Sequence, residues 1–391
     1  MARRKIEVTP SGIHIARDLP TLEEVANSVS EADYRDAIAN PADVLAHWNK
    51  FKVERGGGAG LSMVNDIDPS SPSTNTKIGK NASHPSPLVR GTLQMSMALA
   101  QADSSGVIET CGKCRTPQCT AICNGSSGKM AIKGGTAENA KQIRTQYWAE
   151  HPQYAGALAV IQSRQGAAAA RSVGMIAALR TNMWQDANWA KTNLRGPWIE
   201  DMEEKAGSRG EGVAADFPLL THMNYTKETA NQVLRPGQHE PEVGLPSNYH
   251  LTLSVSEQTP TERLRQRLAS GRTAHAVVWA KPTQEKPSSW TMEDKSGDRE
   301  TVNSFDADNM DAVMHNASIG NVGVGLLRQK QTRGLEELKG KMGRSSMVRP
   351  LDPDAPVGSP TGVPLVYASP ELLESNPPIP KRGSRRGAAG F

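Results

Sequence analysis

All four cysteines of this 391-residue chain fall between positions 111 and 123, in the run Cys111-Gly-Lys-Cys114-Arg-Thr-Pro-Gln-Cys119-Thr-Ala-Ile-Cys123. Core cysteines scatter through a sequence, whereas these gather on one bend. Thiolates a few residues apart converge on one small centre only where the backbone turns freely, and the intervening Gly, Pro and polar residues supply that freedom. Whatever the chain folds into must present this loop. Three occupations compete: an iron–sulfur cluster, a structural zinc held by four thiolates, or two disulfides. Met1-Ala-Arg-Arg-Lys-Ile is a charged start with no apolar stretch behind it. No secretory leader is expected, so the thiols are expected to stay reduced and to hold metal. A single continuous run, rather than two separated knuckles, tilts the expectation toward iron–sulfur, with zinc as the alternative.

The rest of the chain is sparing with apolar residues. Hydrophobic residues make up 37% and aromatic residues 4%, while Gly numbers 35 and Pro 26. Such a composition predicts disordered ends around a smaller globular body. The net charge of +4 neither demands nor excludes a nucleic-acid partner. No apolar run is long enough to span a bilayer, so no membrane role is expected and the cytoplasm is the expected compartment.

Four stretches follow from this. Residues 1–60 hold a short strand at Ile6–Val8 and one polar helix from Thr21 to about Lys52, with Thr21 as cap and Glu23 and Glu24 in its first turn. Residues 61–88 read as an irregular linker, 89–333 as the body, and 334–391 as a disordered basic tail. Within the body, strands are expected near 91–99, 177–183, 219–225, 249–255, 274–280 and 322–327. Helices are expected at 136–150, 153–172, 198–206, 227–234 and 261–270. The alternation predicts an α/β fold with a parallel sheet, open or closed into a partial TIM-like barrel, and the cysteine loop after the first strand.

Ligand-binding groups in such sheets gather at the carboxyl ends of the strands. Asp186, Lys227 and Glu257 fall there as candidate catalytic groups, and Ser254, Ser256 and Asn182 as candidate cofactor-binding groups. Each has a plainer reading: Asp186 as a turn cap, Lys227 and Glu257 as solvated charges, the serines as ordinary strand residues. His222 and His250 lie in strands, where a core imidazole is commoner than a ligand. Arg263, Arg265 and Arg267 on the helix at 261–270 read as a solvated face that could also meet phosphates.

Several strings in this order resemble the bacteriophage gene-product-88-like proteins. They are Asn75-Thr-Lys77-Ile-Gly79-Lys80, Cys119-Thr-Ala-Ile-Cys123 with Ser127-Gly128-Lys129, Arg144-Thr145, and Leu179-Arg180-Thr-Asn182 through Asp186 to Trp189. Phe217-Pro218 through Asn224-Tyr225-Thr226-Lys227 follows, then Asn248-Tyr249-His250-Leu251-Thr252-Leu253-Ser254 with Ser256-Glu257, Gly297-Asp298, and Val322-Gly-Val-Gly-Leu326. The likeness runs from about 74 to 333. The family usually shows three cysteines, the first followed by Pro; here Cys111 precedes Gly and Cys114 is extra. The resemblance implies a phage or prophage origin, hence the host cytoplasm, and names no reaction.

A cysteine loop behind the first strand of a βα series is similar, at the level of fold, to the radical S-adenosylmethionine enzymes. That analogy implies Cys111, Cys119 and Cys123 as ligands of a 4Fe-4S cluster, Cys114 as a fourth candidate, and S-adenosylmethionine as a candidate cofactor for an unidentified substrate. The competing expectation is a structural zinc protein that associates with nucleic acid through its basic residues and performs no catalysis.

Overall fold

Alanine and glycine run through the helix at 152–172 because it is covered on two sides. The computed structural model of the chain describes residues 19–70, 92–111 except 103, 135–198 except 184, 190 and 191, 220–226, 249–255, 259–269, 274–278, 289–293, 296–307 and 323–328. The expected strand at 6–8, most of the cysteine loop, the helix at 227–234 and the tail from 334 lie outside these residues. The helices are α1 (Leu22–Asn27), α2 (Glu31–Ala39), α3 (Pro41–Glu54), α4 (Thr136–Glu150), α5 (Pro152–Ser172) and α6 (Thr261–Ala269). The strands are β1 (Thr92–Ser96), β2 (Ile176–Arg180), β3 (Thr221–Thr226), β4 (Tyr249–Ser254), β5 (Ala274–Val278), β6 (Ser289–Glu293), β7 (Arg299–Asp306) and β8 (Val324–Arg328).

The strands form one sheet in the order β1-β2-β3-β4-β5-β8-β7-β6, parallel throughout except for the antiparallel pair β6–β7. The sheet is open, with β1 and β6 as its edges, and does not close into a barrel. From β1 to β5 each strand lies beside the one before it. Right-handed crossovers that always step the same way put their helices on one face of the sheet. The β6–β7 hairpin has no counterpart among the expected elements: β6 alternates over only five residues, and β7 carries only Val302 and Phe305 as apolar residues, three apart and off the strand period.

α5 packs on β1 and β2 with one side and against α2, α3 and α4 with the others. Over residues 155–163 every position is buried, which leaves little room for large side chains. A Cβ at Gly156 would lie 2.3 Å from the Tyr34 ring of α2, and one at Gly166 would lie 2.1 Å from Met95 Sδ of β1. Tyr34 in turn donates its hydroxyl to Ala26 O at 2.9 Å, tying α2 to α1.

The single N-terminal helix expected from the sequence is three helices. Thr21 caps α1 as expected: its Oγ1 accepts from Glu24 N at 3.1 Å, and Glu24 accepts from Thr21 N at 2.7 Å, a reciprocal capping box. Ser30 caps α2 by accepting from Asp33 N. Pro41 then opens α3, and the residue before a proline is pushed out of helical conformation, as Asn40 is at φ −115° and ψ 62°. Nor do these helices form a separate segment ending at 60. Leu22, Tyr34, Val44, Trp48 and Phe51 share one hydrophobic core with Leu93 of β1, Trp148 of α4, Leu158 of α5 and Leu179 of β2. A smaller cluster joins Leu253, Leu264, Ala274, Trp290 and Val324.

His222 of β3 is fully buried against Trp198, their rings 5.1 Å apart. Burial pushes its pKa down to about 3. In the unfolded chain the imidazole returns to about 6.5. Between those values the unfolded state binds a proton that the folded state does not, so stability falls as pH drops below about 6.5, by about 1.4 kcal/mol per pH unit from this residue. Urea melts at about pH 7 and about pH 5 should show that slope, and His222→Gln should flatten it. Equal slopes in the two proteins would contradict this account.

Candidate functional site

At the carboxyl end of β1 the chain does not turn at once. Met97 N donates to Arg180 O, extending the ladder with β2 by one bond. The segment that follows is held by one face of α4. Arg144 donates to Ala98 O at 3.2 Å, to Ser62 O at 2.6 Å and to Asn65 Oδ1 at 2.6 Å. Thr145 Oγ1 accepts from Ala100 N at 2.8 Å, and Lys141 Nζ reaches Gln101 Oε1 at 3.0 Å. The Arg144-Thr145 pair that stood out in the sequence therefore does structural work at this rim.

The approach to Cys111 is locked from three directions. Thr110 donates from its hydroxyl to Ala100 O and from its backbone to Ala102 O, closing the turn before the cysteine. Glu109 exchanges backbone bonds with the N-terminal segment, accepting from Leu22 N and donating to Pro20 O, each at 2.9 Å. Asp186 N donates to Thr110 O at 3.1 Å, and Cys111 N donates to Glu109 Oε1 at 2.8 Å. Cys111 itself is 8% exposed.

Two of the sequence candidates thus meet here: Asp186 is buried and one backbone bond away from the residue before Cys111. The loop carrying Asp186 is braced through Asn182. That amide donates to Ala187 O and accepts from Trp189 Nε1, while its backbone N–H and the Thr181 hydroxyl both donate to Asn224 Oδ1 of β3. Gln185 donates to Met97 O and to Thr181 O. Asn188 N donates to the Glu23 carboxylate of α1. Ser254 sits apart, half-buried at the end of β4 and in register with His275 of β5. Lys227, Ser256, Glu257, Cys114, Cys119 and Cys123 lie outside the described residues. Among the described residues no three His, Cys, Asp or Glu side chains are close enough together to hold a metal ion.

Of the α6 arginines, Arg265 is exposed as expected, and Arg267 departs from the solvated face. Arg267 is buried at 6% exposure, and Arg265 pairs with Glu300 of β7 at 2.6 Å and with Glu262. Sequence reasoning also passed over Arg180, Tyr225 and His275, which form a row on the sheet face turned away from α5. The signal for Arg180 was there: it is the one charged residue ending the otherwise apolar strand Ile176–Leu179.

No helix among the described residues is long and apolar enough to cross a membrane. A family model described as gene product 88 matches residues 70–340, more than half of the chain and beginning after α3. No curated protein and no solved structure matches it.

Proposed function

The chain belongs to the bacteriophage gene product 88 family, and from that premise we propose that it is a metal-binding protein of the host cytoplasm whose cysteine loop holds an iron–sulfur cluster. Cys111, Cys119 and Cys123 are its ligands; with Cys114 as a fourth the centre would be closed and structural. Three ligands leave one iron open, and a 4Fe-4S centre of that kind supplies one-electron or Lewis-acid chemistry when bound. S-adenosylmethionine is the cofactor that such an open iron suits. Asp186, Lys227 and Glu257 are the groups that orient a substrate beside it, and Asn182, Ser254 and Ser256 those that border the cofactor.

The observation that supports this reading is the locked entry to the loop. A loop of no consequence has little need of bonds from α1, the β1 extension and the 182–189 loop converging on the two residues before its first cysteine. Metal sites do need their ligands held, because a ligand free to wander costs affinity. The carboxyl rim of a parallel sheet is also where such sites are built.

Iron and sulfide should co-purify with the protein prepared without oxygen, with thiolate-to-iron absorbance in the visible. Cys119→Ser and Cys123→Ser should each lose the bound iron while keeping the folded far-ultraviolet signature. Zinc without iron would replace the cluster by a structural zinc centre, and neither metal would end the reading.

A further inference from the structure

The sheet has a second face, and its composition is unlike the first. Met95 of β1 turns toward α5, since a Cβ on Gly166 would touch its sulfur; alternation therefore turns Thr92, Gln94 and Ser96 the other way. Partners in register share a face, which carries the assignment across the sheet. Ser96 lies beside Arg180, Thr252 beside Tyr225, and Ser254 and Gly325 beside His275. Arg180 holds its guanidinium 4.5 Å from the centre of the Tyr225 ring, and Tyr225 stands 5.1 Å from the His275 ring. The row runs from the carboxyl ends of β2, β3 and β4 to the second residue of β5.

Two details make this a built surface. Gly325 is the only residue type that fits beside His275: a Cβ there would lie 2.6 Å from Nε2. Gln94 of β1, two residues before Ser96 and 2% exposed, carries an Oε1 with no hydrogen-bond partner among the described residues. A buried amide acceptor left unpaired costs about 1–3 kcal/mol, and a ligand donor would remove that cost. A guanidinium, an imidazole, a phenol and the Thr252 and Ser254 hydroxyls share the face.

We propose that Arg180, Tyr225, His275, Thr252 and Ser254 form a binding site for a small molecule that carries an oxyanion, a carboxylate or a phosphate ester, and that presents an N–H or O–H donor to Gln94. A guanidinium held flat on an aromatic ring is oriented to give paired hydrogen bonds to such an anion. The cation keeps its stacking partner while doing so. The site does not depend on the cysteine loop.

Calorimetric titration of the full chain with inorganic phosphate and, separately, with succinate at constant ionic strength tests this and tells the two anion classes apart. At least one should bind saturably. Arg180→Gln should weaken that binding about tenfold or more, the usual consequence of losing a charge-assisted hydrogen bond, while Arg171→Gln at the end of α5 should not. Tyr225→Phe and Ser254→Ala should give smaller losses in the same direction, and they carry the test if Arg180→Gln fails to fold. A Cys119→Ser, Cys123→Ser double variant should bind the anion as the wild type does, so loss of metal and loss of anion are read separately. Saturable binding of neither anion by the wild type, or undiminished binding by Arg180→Gln, overturns the proposal.

Discussion

A chain cut to residues 61–391 will not fold. The family match begins at residue 70, and a boundary drawn there would discard α1, α2 and α3 as an appendage. The core says otherwise. Leu22, Tyr34, Val44, Trp48 and Phe51 are each at most 4% exposed, packed among α4 and α5. Burial of one side chain of this size contributes about 1.5–3 kcal/mol, so the five together are comparable to the roughly 5–15 kcal/mol that keeps a typical domain folded. Polar ties go with them. His47 Nδ1 meets the Tyr147 hydroxyl at 3.0 Å, and Arg55 grips Glu150 at 2.6 Å. Truncation would also bare the outer side of α5, whose alanines and glycines fit a helix rather than water. Expression of 61–391 should yield aggregated protein, or protein with no cooperative thermal transition. A soluble product melting within a few degrees of the full chain would sink this account of the core.

Replacing Arg144 with Ala should cost about 3–5 kcal/mol, the largest effect expected of any single substitution at the rim. The guanidinium is 5% exposed, and burial pushes its pKa down to about 10. It remains charged at neutral pH. Its three acceptors come from two places: Ser62 and Asn65 on the segment that pairs with the outer edge of β1, and Ala98 just past the strand. Removing it strands all three, and each bond to a charged donor contributes about 1.5–3 kcal/mol. Asn65 exchanges backbone hydrogen bonds with Ser96, so this edge of the sheet should loosen as well. Urea unfolding gives the magnitude, and faster amide exchange at Ser96 gives the location. Arg144→Lys should lose less, keeping charge and part of the bonding. A loss under about 1 kcal/mol in Arg144→Ala would show that the segment is held by packing instead.

Strand and helix positions from 92 to 180 were legible because their patterns are local. β1 alternates Leu93 and Met95 with Thr92, Gln94 and Ser96, β2 is a short apolar run, and α4 and α5 are broken apart by Pro152 and contain several alanines. Six of the eight strands fall where alternation placed them. What failed was equally physical. Residues 21–54 were read as one helix although Ser30 and Asn40-Pro41 carry cap and break chemistry, since each signal taken alone is tolerated inside a longer helix. The β6–β7 hairpin escaped because β6 alternates over only five residues and the two apolar residues of β7, Val302 and Phe305, are off the strand period. Arg267 was expected in water and is buried, because its position on α6 matters less than what β5 and β7 bring against it.

The candidate site divides the same way. The cysteine spacing, Asp186 and the strand ends could be found by reading along the chain, since residue type and local period carry them. That Asp186 stands one backbone bond from Thr110, that Glu109 pairs with Pro20 and Leu22, and that Arg180, Tyr225 and His275 share one face could not. Those neighbours are separated by tens of residues, and the free energy that brings them together comes from closing the sheet's crossovers and burying a shared core, neither of which any short stretch encodes. Local chemistry was decided by sequence; which chemistries meet was decided by how the strands register and which side of them the helices cover.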